Sequence, residues 1–163
     1  MSGCQPLVSV IMNCYNSDTY LKEAIESVYS QTYKNWEIIF LDNASTDNSA
    51  VIAKEFGEKL KYFRIDKTVS LGKARNNALS KAKGELIGFL DCDDLWFPTK
   101  LEKQVKIFSD NPRTGLVFSD VVNVFQKDKF YYRQFSMLKT MPPRGNIFGY
   151  LLLKYGVSFP TVL

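Results

Sequence analysis

Histidine is absent from this 163-residue chain. A Ser-His-Asp triad, a Cys-His pair and any histidine-ligated zinc or iron site built from this chain alone are therefore excluded. Cysteine is scarce: Cys4, Cys14 and Cys92 are an odd number, far apart, with no CxxC pair. That pattern argues against a disulfide framework or structural zinc, and for reduced thiols in a cytoplasmic protein. No basic segment followed by an apolar stretch opens the chain, so no signal peptide is expected. No apolar run approaches the ~18 residues of a membrane span, which limits any membrane association to peripheral contact. Charge imbalance is also small, a formal +4. This is too little to argue for a nucleic-acid partner, though it suits an anionic ligand or an anionic lipid surface. Neither GxxxxGK[ST] nor a GxGxxG after the first strand is present, against a P-loop NTPase or a typical dinucleotide dehydrogenase. There are no repeats and no low-complexity segments.

What is present is an alternation of two patterns. "LVSVIM" (Leu7 to Met12), "WEIIFL" (Trp36 to Leu41), "LKYFRI" (Leu60 to Ile65) and "LIGFL" (Leu86 to Leu90) read as strands. The first, second and fourth are nearly continuous in apolar residues, as strands covered on both faces are. Between them, Leu21, Ile25 and Val28 share a helix face, as do Ile52 and Phe56, and Leu71, Ala74, Ala78 and Ala82. A fourth helix near Pro98 would bury Leu101, Val105 and Phe108. Polar caps are expected at Asn16 to Asp18, Ser45 and Ser70, with a capping box of Thr99 and Glu102. The order β-α-β-α-β-α-β-α-β predicts parallel strands joined by right-handed crossovers around one core. Beyond Leu116, "LVFSDVVNVF" and "FYYRQF" read as strands with "QKDK" as a turn, "GNIFGYLLLKYG" as a short helix, and "SFPTVL" as the start of a further strand.

In an open parallel sheet, ligands bind beyond the carboxyl ends of the strands. Strand one runs into Asn13, Tyr15 and Asn16, strand two into Asp42 and Asn43, and strand four into Asp91, Asp93 and Asp94. The segment after strand three supplies Ser70, Gly72, Lys73 and Arg75. These groups are predicted to line one crevice. Strand alternation sends Asp91 and Asp93 to one side and Cys92 to the other. Two hard oxygen ligands suit Mg²⁺ or Mn²⁺ completed by water and substrate phosphates; read alone, the same aspartates also serve as helix caps, Asp94 most readily. Asp42 could accept hydrogen bonds from a base or ribose, or close an Asx turn with Asn43 and Ser45. Tyr15 could stack on a base or pack at the sheet edge. Lys73 and Arg75 could meet phosphate or base, or form a solvated helix face.

Taken in order, YN after strand one, a helix ending in "SQTY", "WEIIFLDNASTD", "GKARNNAL" and DxD resemble the GT-A-fold, family-two glycosyltransferases over roughly residues 6 to 120. The resemblance implies an α/β, Rossmann-like, mostly parallel sheet flanked by helices. It divides a single domain over 1–163 into a nucleotide-sugar-binding half at 6–115 and the start of an acceptor-binding half at 116–163. It places Asn13, Tyr15, Asn16, Asp42, Gly72, Lys73, Arg75, Asp91 and Cys92 where members hold the nucleotide, often uridine. Asp91 and Asp93 fall on the metal and diphosphate motif, with Asp93 favoured as the direct ligand of Mn²⁺ or Mg²⁺. The implied partners are a nucleotide-sugar donor and a saccharide or lipid-linked acceptor, with the oligomeric state left open. The family's general base, an Asp or Glu beyond the acceptor-binding half, has no counterpart here; Asp120 in "VFSD" comes too early in the pattern. The expectation is a chain truncated in its acceptor half that binds donor and transfers sugar poorly or not at all, with a non-catalytic nucleotide-binding or regulatory module as the alternative. A receiver-like signalling domain is set aside, because Asn13 and Asn16 stand where its acidic pair would be.

Overall fold

The four apolar runs form the sheet they predict. In the computed structural model, which describes residues 5–127, 130–135 and 163, β1 (Val8–Cys14), β2 (Trp36–Asp42), β3 (Leu60–Arg64) and β4 (Leu86–Phe89) lie in the order β3-β2-β1-β4. Every pairing is parallel. The two inner strands carry the burial: β2 is buried throughout and β1 at every residue but Asn13.

Alternation along β1 and β2 divides the apolar side chains between two layers. Val8, Val10, Met12, Ile38 and Phe40 pack with Leu21, Ala24, Ile25 and Val28 of α1 (Asp18–Tyr29), and with Leu101 and Val105 of α4 (Lys100–Asp110). On the opposite face, Ile11, Ile39 and Leu41 meet Ala74 and Ala78 of α3 (Leu71–Leu79). Helices thus cover both faces. At the amino end of the sheet, Ser9 Oγ donates to Glu37 Oε1 at 2.7 Å and accepts the Gly84 N–H at 2.7 Å. A side chain at Gly84 would lie 2.5 Å from the Ser9 nitrogen, so only glycine lets the chain enter β4 this close to β1.

Several expectations are corrected. The short α2 (Ser49–Lys54) buries Ser49 and Ala53, while Ile52 and Phe56 are partly buried at its margin. Leu71 is 53% exposed, because α3 enters from the carboxyl edge of the sheet and its first residue overhangs the strands. None of the four described helices receives a hydrogen bond from the side chain of its own N-cap residue. Ser17, Asn48 and Thr99 occupy the cap positions outside the extended conformation that aims a cap oxygen at the first turn. Glu102 closes no box with Thr99; its Oε2 accepts from Thr32 Oγ at 2.7 Å.

After α4 the alternation stops. β5 (Val122–Lys127) and β6 (Phe130–Phe135) pair antiparallel with each other in a separate two-stranded sheet, not in the parallel one. A parallel partner needs a crossover of a dozen residues, and only two separate these strands. Val117 and Leu163 exchange both backbone hydrogen bonds, at 2.9 and 2.8 Å, as an antiparallel pair does. The expected helix over Gly145 to Gly156 and the rest of "SFPTVL" lie outside the described residues.

Candidate functional site

Beyond the carboxyl edge of the sheet lies an open cleft of about 420 Å³, within the usual size of ligand pockets. The end of β1 and the turn after it contribute Asn13, Tyr15, Asn16 and Ser17, the first turn of α1 contributes Thr19 and Tyr20, and the turn after β4 contributes Asp91, Cys92 and Asp93. Six of these nine were expected from the sequence. Ser17, Thr19 and Tyr20 were not, although a helix that follows directly on a strand end must present its first turn to the same edge.

β4 ends at Phe89, and Asp91 to Asp94 form a turn beyond it, not a continuation of the strand with its alternation. Cys92 turns into the α1-side core with Cys14, while Asp91 meets α3, its Oδ1 3.0 Å from Arg75 Nη2. Asp93 is exposed. Asp94 donates its N–H to the Asp91 carbonyl at 3.2 Å; burial, then the charges of Asp93 and Asp91, push its carboxyl above the usual range. Cys92 Sγ donates to the Asn13 carbonyl at 3.3 Å, tying the loop to β1. The two thiols also hydrogen-bond to each other. That bond, against the opposing effect of burial, draws the Cys14 thiol down to about 7, helped by Ser49, Ser45 and the Ser17 amide. The same bond, burial and the nearby negative charges push Cys92 up.

Asn13 Oδ1 is buried and has no hydrogen-bond partner among the described residues, a costly condition for an acceptor. Tyr15 and Tyr20 are 53% and 58% exposed and offer two aromatic faces to the cleft. Asn16 is left-handed, φ 49°, a region asparagine tolerates. Its Oδ1 accepts the Thr46 N–H at 2.7 Å and its own N–H donates to Ser45 Oγ at 3.1 Å. The β1–α1 and β2–α2 turns are thereby laced together.

Asp42 is not on the cleft lining. Its side chain is fully buried, one oxygen accepting the Ser45 N–H at 2.7 Å, the other the Tyr62 hydroxyl at 2.6 Å and an Arg64 ion pair. The expected grouping of Tyr15, Asp42 and Asp93 around one pocket is therefore realised for Tyr15 and Asp93 only. The parallel register sets Asp42 beside Cys14 on one side and Arg64 on the other, and the arginine claims it. Gly72 and Lys73 are exposed in the first turn of α3 and also lie off the lining; nothing crowds Gly72. Asp120 is exposed and its Oδ1 accepts the Val121 N–H.

Among the described residues no group of three or more His, Cys, Asp or Glu side chains is set to hold a metal ion. A closed protein cage is not what this site offers. The donor set of Asp91 and Asp93 fits a hard divalent cation that draws its remaining ligands from water and a bound diphosphate.

Residues 9–161 match glycosyl transferase family 2, and the chain belongs to that family; its fold is of the GT-A type. It is 41% identical over 144 residues to the putative glycosyltransferase EpsE of Bacillus subtilis, a match covering 86% of this chain and 51% of EpsE. Among solved structures it is similar to S. aureus TarS 1–349 in complex with UDP, with a TM-score of 0.62, 30% identity, and coverage of 64% of this chain and 32% of that one. It is also similar to the mannosyltransferase PcManGT from Pyrobaculum calidifontis in complex with GDP-Man and Mn²⁺, with a TM-score of 0.65, 28% identity, and coverage of 71% and 36%. The chain thus spans about half the length of EpsE and about a third of each solved chain. No described helix is long and apolar enough to cross a membrane.

Proposed function

We propose that this chain holds the nucleotide-diphosphate sugar, a UDP-sugar first, of a metal-dependent, inverting glycosyltransferase. The observation that carries this reading is the convergence of Tyr15 from the end of β1 with Asp91 and Asp93 from the end of β4, 76 and 78 residues away, in one cleft. An aromatic face beside a pair of carboxylates suits a base or ribose at one end and a metal-bound diphosphate at the other. Asn13 lines the same cleft with an amide oxygen that lacks a partner among the described residues; a polar ligand group would supply one. The UDP and GDP-Man bound by the two solved relatives support a nucleotide donor.

In this reading Asp93 is the direct metal ligand. Arg75 orients Asp91 and offsets its charge through their 3.0 Å ion pair. Asp42, fully engaged by Ser45, Tyr62 and Arg64, serves by fixing the β2–α2 turn that holds Asn16. A divalent cation, when bound, supplies Lewis-acid stabilisation of the departing diphosphate. The acceptor hydroxyl, on a saccharide or lipid-linked molecule, attacks the anomeric carbon from the opposite face, and a carboxylate base takes its proton. That base is not assigned among the residues of this cleft.

Titration calorimetry of the chain with UDP, in Mn²⁺ and in EDTA, tests the reading. Binding that strengthens with Mn²⁺ is expected, and Asp93→Ala should remove most of the metal effect, about tenfold or more. Failure of the native chain to bind UDP, or unchanged binding in the variant, overturns it.

A further inference from the structure

Gln31 belongs to the "SQTY" segment at the end of α1 and does not touch the cleft. It is nevertheless fully buried, and its amide is spent on three bonds. Nε2 donates to the Ser27 carbonyl at 3.0 Å and to the Phe97 carbonyl at 2.9 Å, and Oε1 accepts the Leu101 N–H at 3.0 Å. Two carbonyls demand the amide nitrogen and one N–H demands the oxygen, so only one orientation of the amide satisfies all three.

Two of those partners, Phe97 and Leu101, lie past the carboxylates, on the loop after Asp93 and in the first turn of α4. The surrounding residues reinforce the same attachment. Ser27 Oγ accepts the Trp96 N–H at 3.1 Å, and the Thr32 N–H donates to the Pro98 carbonyl at 2.9 Å. At its leading end the loop is held to β1 by the Leu90 N–H on the Ile11 carbonyl at 3.0 Å and by Cys92 on Asn13. Asp93 to Leu95 are the short free span between the two anchors, and Asp93 and Leu95 are exposed. The leading anchor belongs to the sheet. The trailing anchor combines the hydrogen bonds of Gln31 and its neighbours with the burial of Trp96 and Leu101 in the α1-side core.

We infer that Gln31 is a positioning residue: through Phe97 and Leu101 it sets where the Asp91–Asp93 carboxylates stand toward a metal-bound diphosphate. The inference rests on the reading of the cleft proposed above. It assigns to the end of α1 a role in metal-dependent nucleotide binding beyond holding the core. Groups that orient metal ligands without touching the metal are commonly worth ~10- to 100-fold in metal affinity.

The test is the ratio of UDP dissociation constants in EDTA and in Mn²⁺, measured on the full chain for the native protein, Gln31→Met and Ser27→Ala, with thermal unfolding alongside. Gln31→Met keeps the length of the side chain and removes its hydrogen bonds; Ser27→Ala removes a different anchor of the same loop at less risk to the fold. In both variants the ratio should fall, by about tenfold in Gln31→Met and less in Ser27→Ala, while UDP affinity in EDTA stays within about twofold. A ratio equal to the native one, with only the melting temperature lowered, overturns the inference and leaves the cleft reading intact. If Gln31→Met does not fold, an unchanged ratio in Ser27→Ala overturns it alone. Native binding of UDP without any Mn²⁺ effect overturns this inference and the metal part of the proposed function; no native binding of UDP overturns both readings.

Discussion

Asp42 is the residue whose place is least like what its neighbours in sequence suggest. "LDNAS" at the end of a buried strand reads equally as a base-binding carboxylate and as an Asx turn; the Ser45 N–H on Asp42 Oδ1 is the turn. What the sequence could not display is the pairing partner: Arg64 lies 22 residues on and becomes adjacent only through the β2–β3 register. Burial pushes the Asp42 carboxyl up, but the Tyr62 hydroxyl, the two Ser45 hydrogen bonds and the Arg64 charge outweigh it, so its pKa lies below the usual range. A lowered folded value means that its contribution to stability is complete above the unfolded value, ~3.9, and is lost as pH falls below that through the folded value. Asp42→Asn should cost about 1–3 kcal/mol at pH 7 and flatten the acid side of the stability profile, read from urea denaturation at a series of pH values. Parallel profiles for the two proteins would contradict this. Asp91, Cys92 and Asp93 were expected at the cleft because they follow directly on the run that forms β4, a local property, although they sit in a turn where strand alternation no longer applies.

At the scale of elements, the four parallel strands were readable to within one or two residues, because continuous apolar runs of strand length leave few other arrangements. The helix caps were not readable, because α1 and α2 cap each other. Asp47 accepts the Asp18 N–H on one carboxylate oxygen and the Ser49 N–H on the other, each at 3.0 Å, and Ser49 Oγ accepts the Ser17 N–H at 3.1 Å. One carboxylate thus serves the first turns of two helices whose starts are 31 residues apart. Burial raises the Asp47 carboxyl, yet these bonds hold it below its ordinary value. Asp47→Ala should therefore destabilise by about 1–2 kcal/mol. Asp47→Asn, which keeps a single acceptor oxygen, should fall between the two. Equal stability of all three in chemical denaturation would show that water replaces the carboxylate without cost. The same junction carries Asn16 and Ser17 into the cleft, so it joins capping to the placement of the β1 end of the site.

For the whole molecule, the strand order β3-β2-β1-β4 sets a gradient of stability with the cleft residues at its margin. β1 and β2 each have a strand on both sides and helices over both faces, whereas β3 is an edge strand with partly exposed residues at Tyr62 and Phe63. Among the described residues, β5 and β6 pair only with each other, and a two-stranded ribbon alone is marginally stable in water. Backbone amides open by local unfolding where few contacts oppose it, and only by global unfolding in the core. Native-state hydrogen exchange should therefore find Val10 to Met12 and Ile38 to Phe40 exchanging last, at the global unfolding limit. The bonded amides of β3 should exchange sooner, and those of β5 and β6 at least ~100-fold faster than β1. Protection of the hairpin equal to that of β1 would refute the gradient, because it would require β5 and β6 to unfold as one unit with the parallel sheet. The gradient also bears on the cleft: Asn13 and Cys14 close the most protected strand, while Asp93 stands on a loop fastened from two sides. A ligand bridging them would join a rigid floor to a tethered arm, and the exchange rates of the Asp94 and Trp96 amides, hydrogen-bonded to Asp91 and Ser27, should slow when UDP and Mn²⁺ are added, while those of β3 do not change.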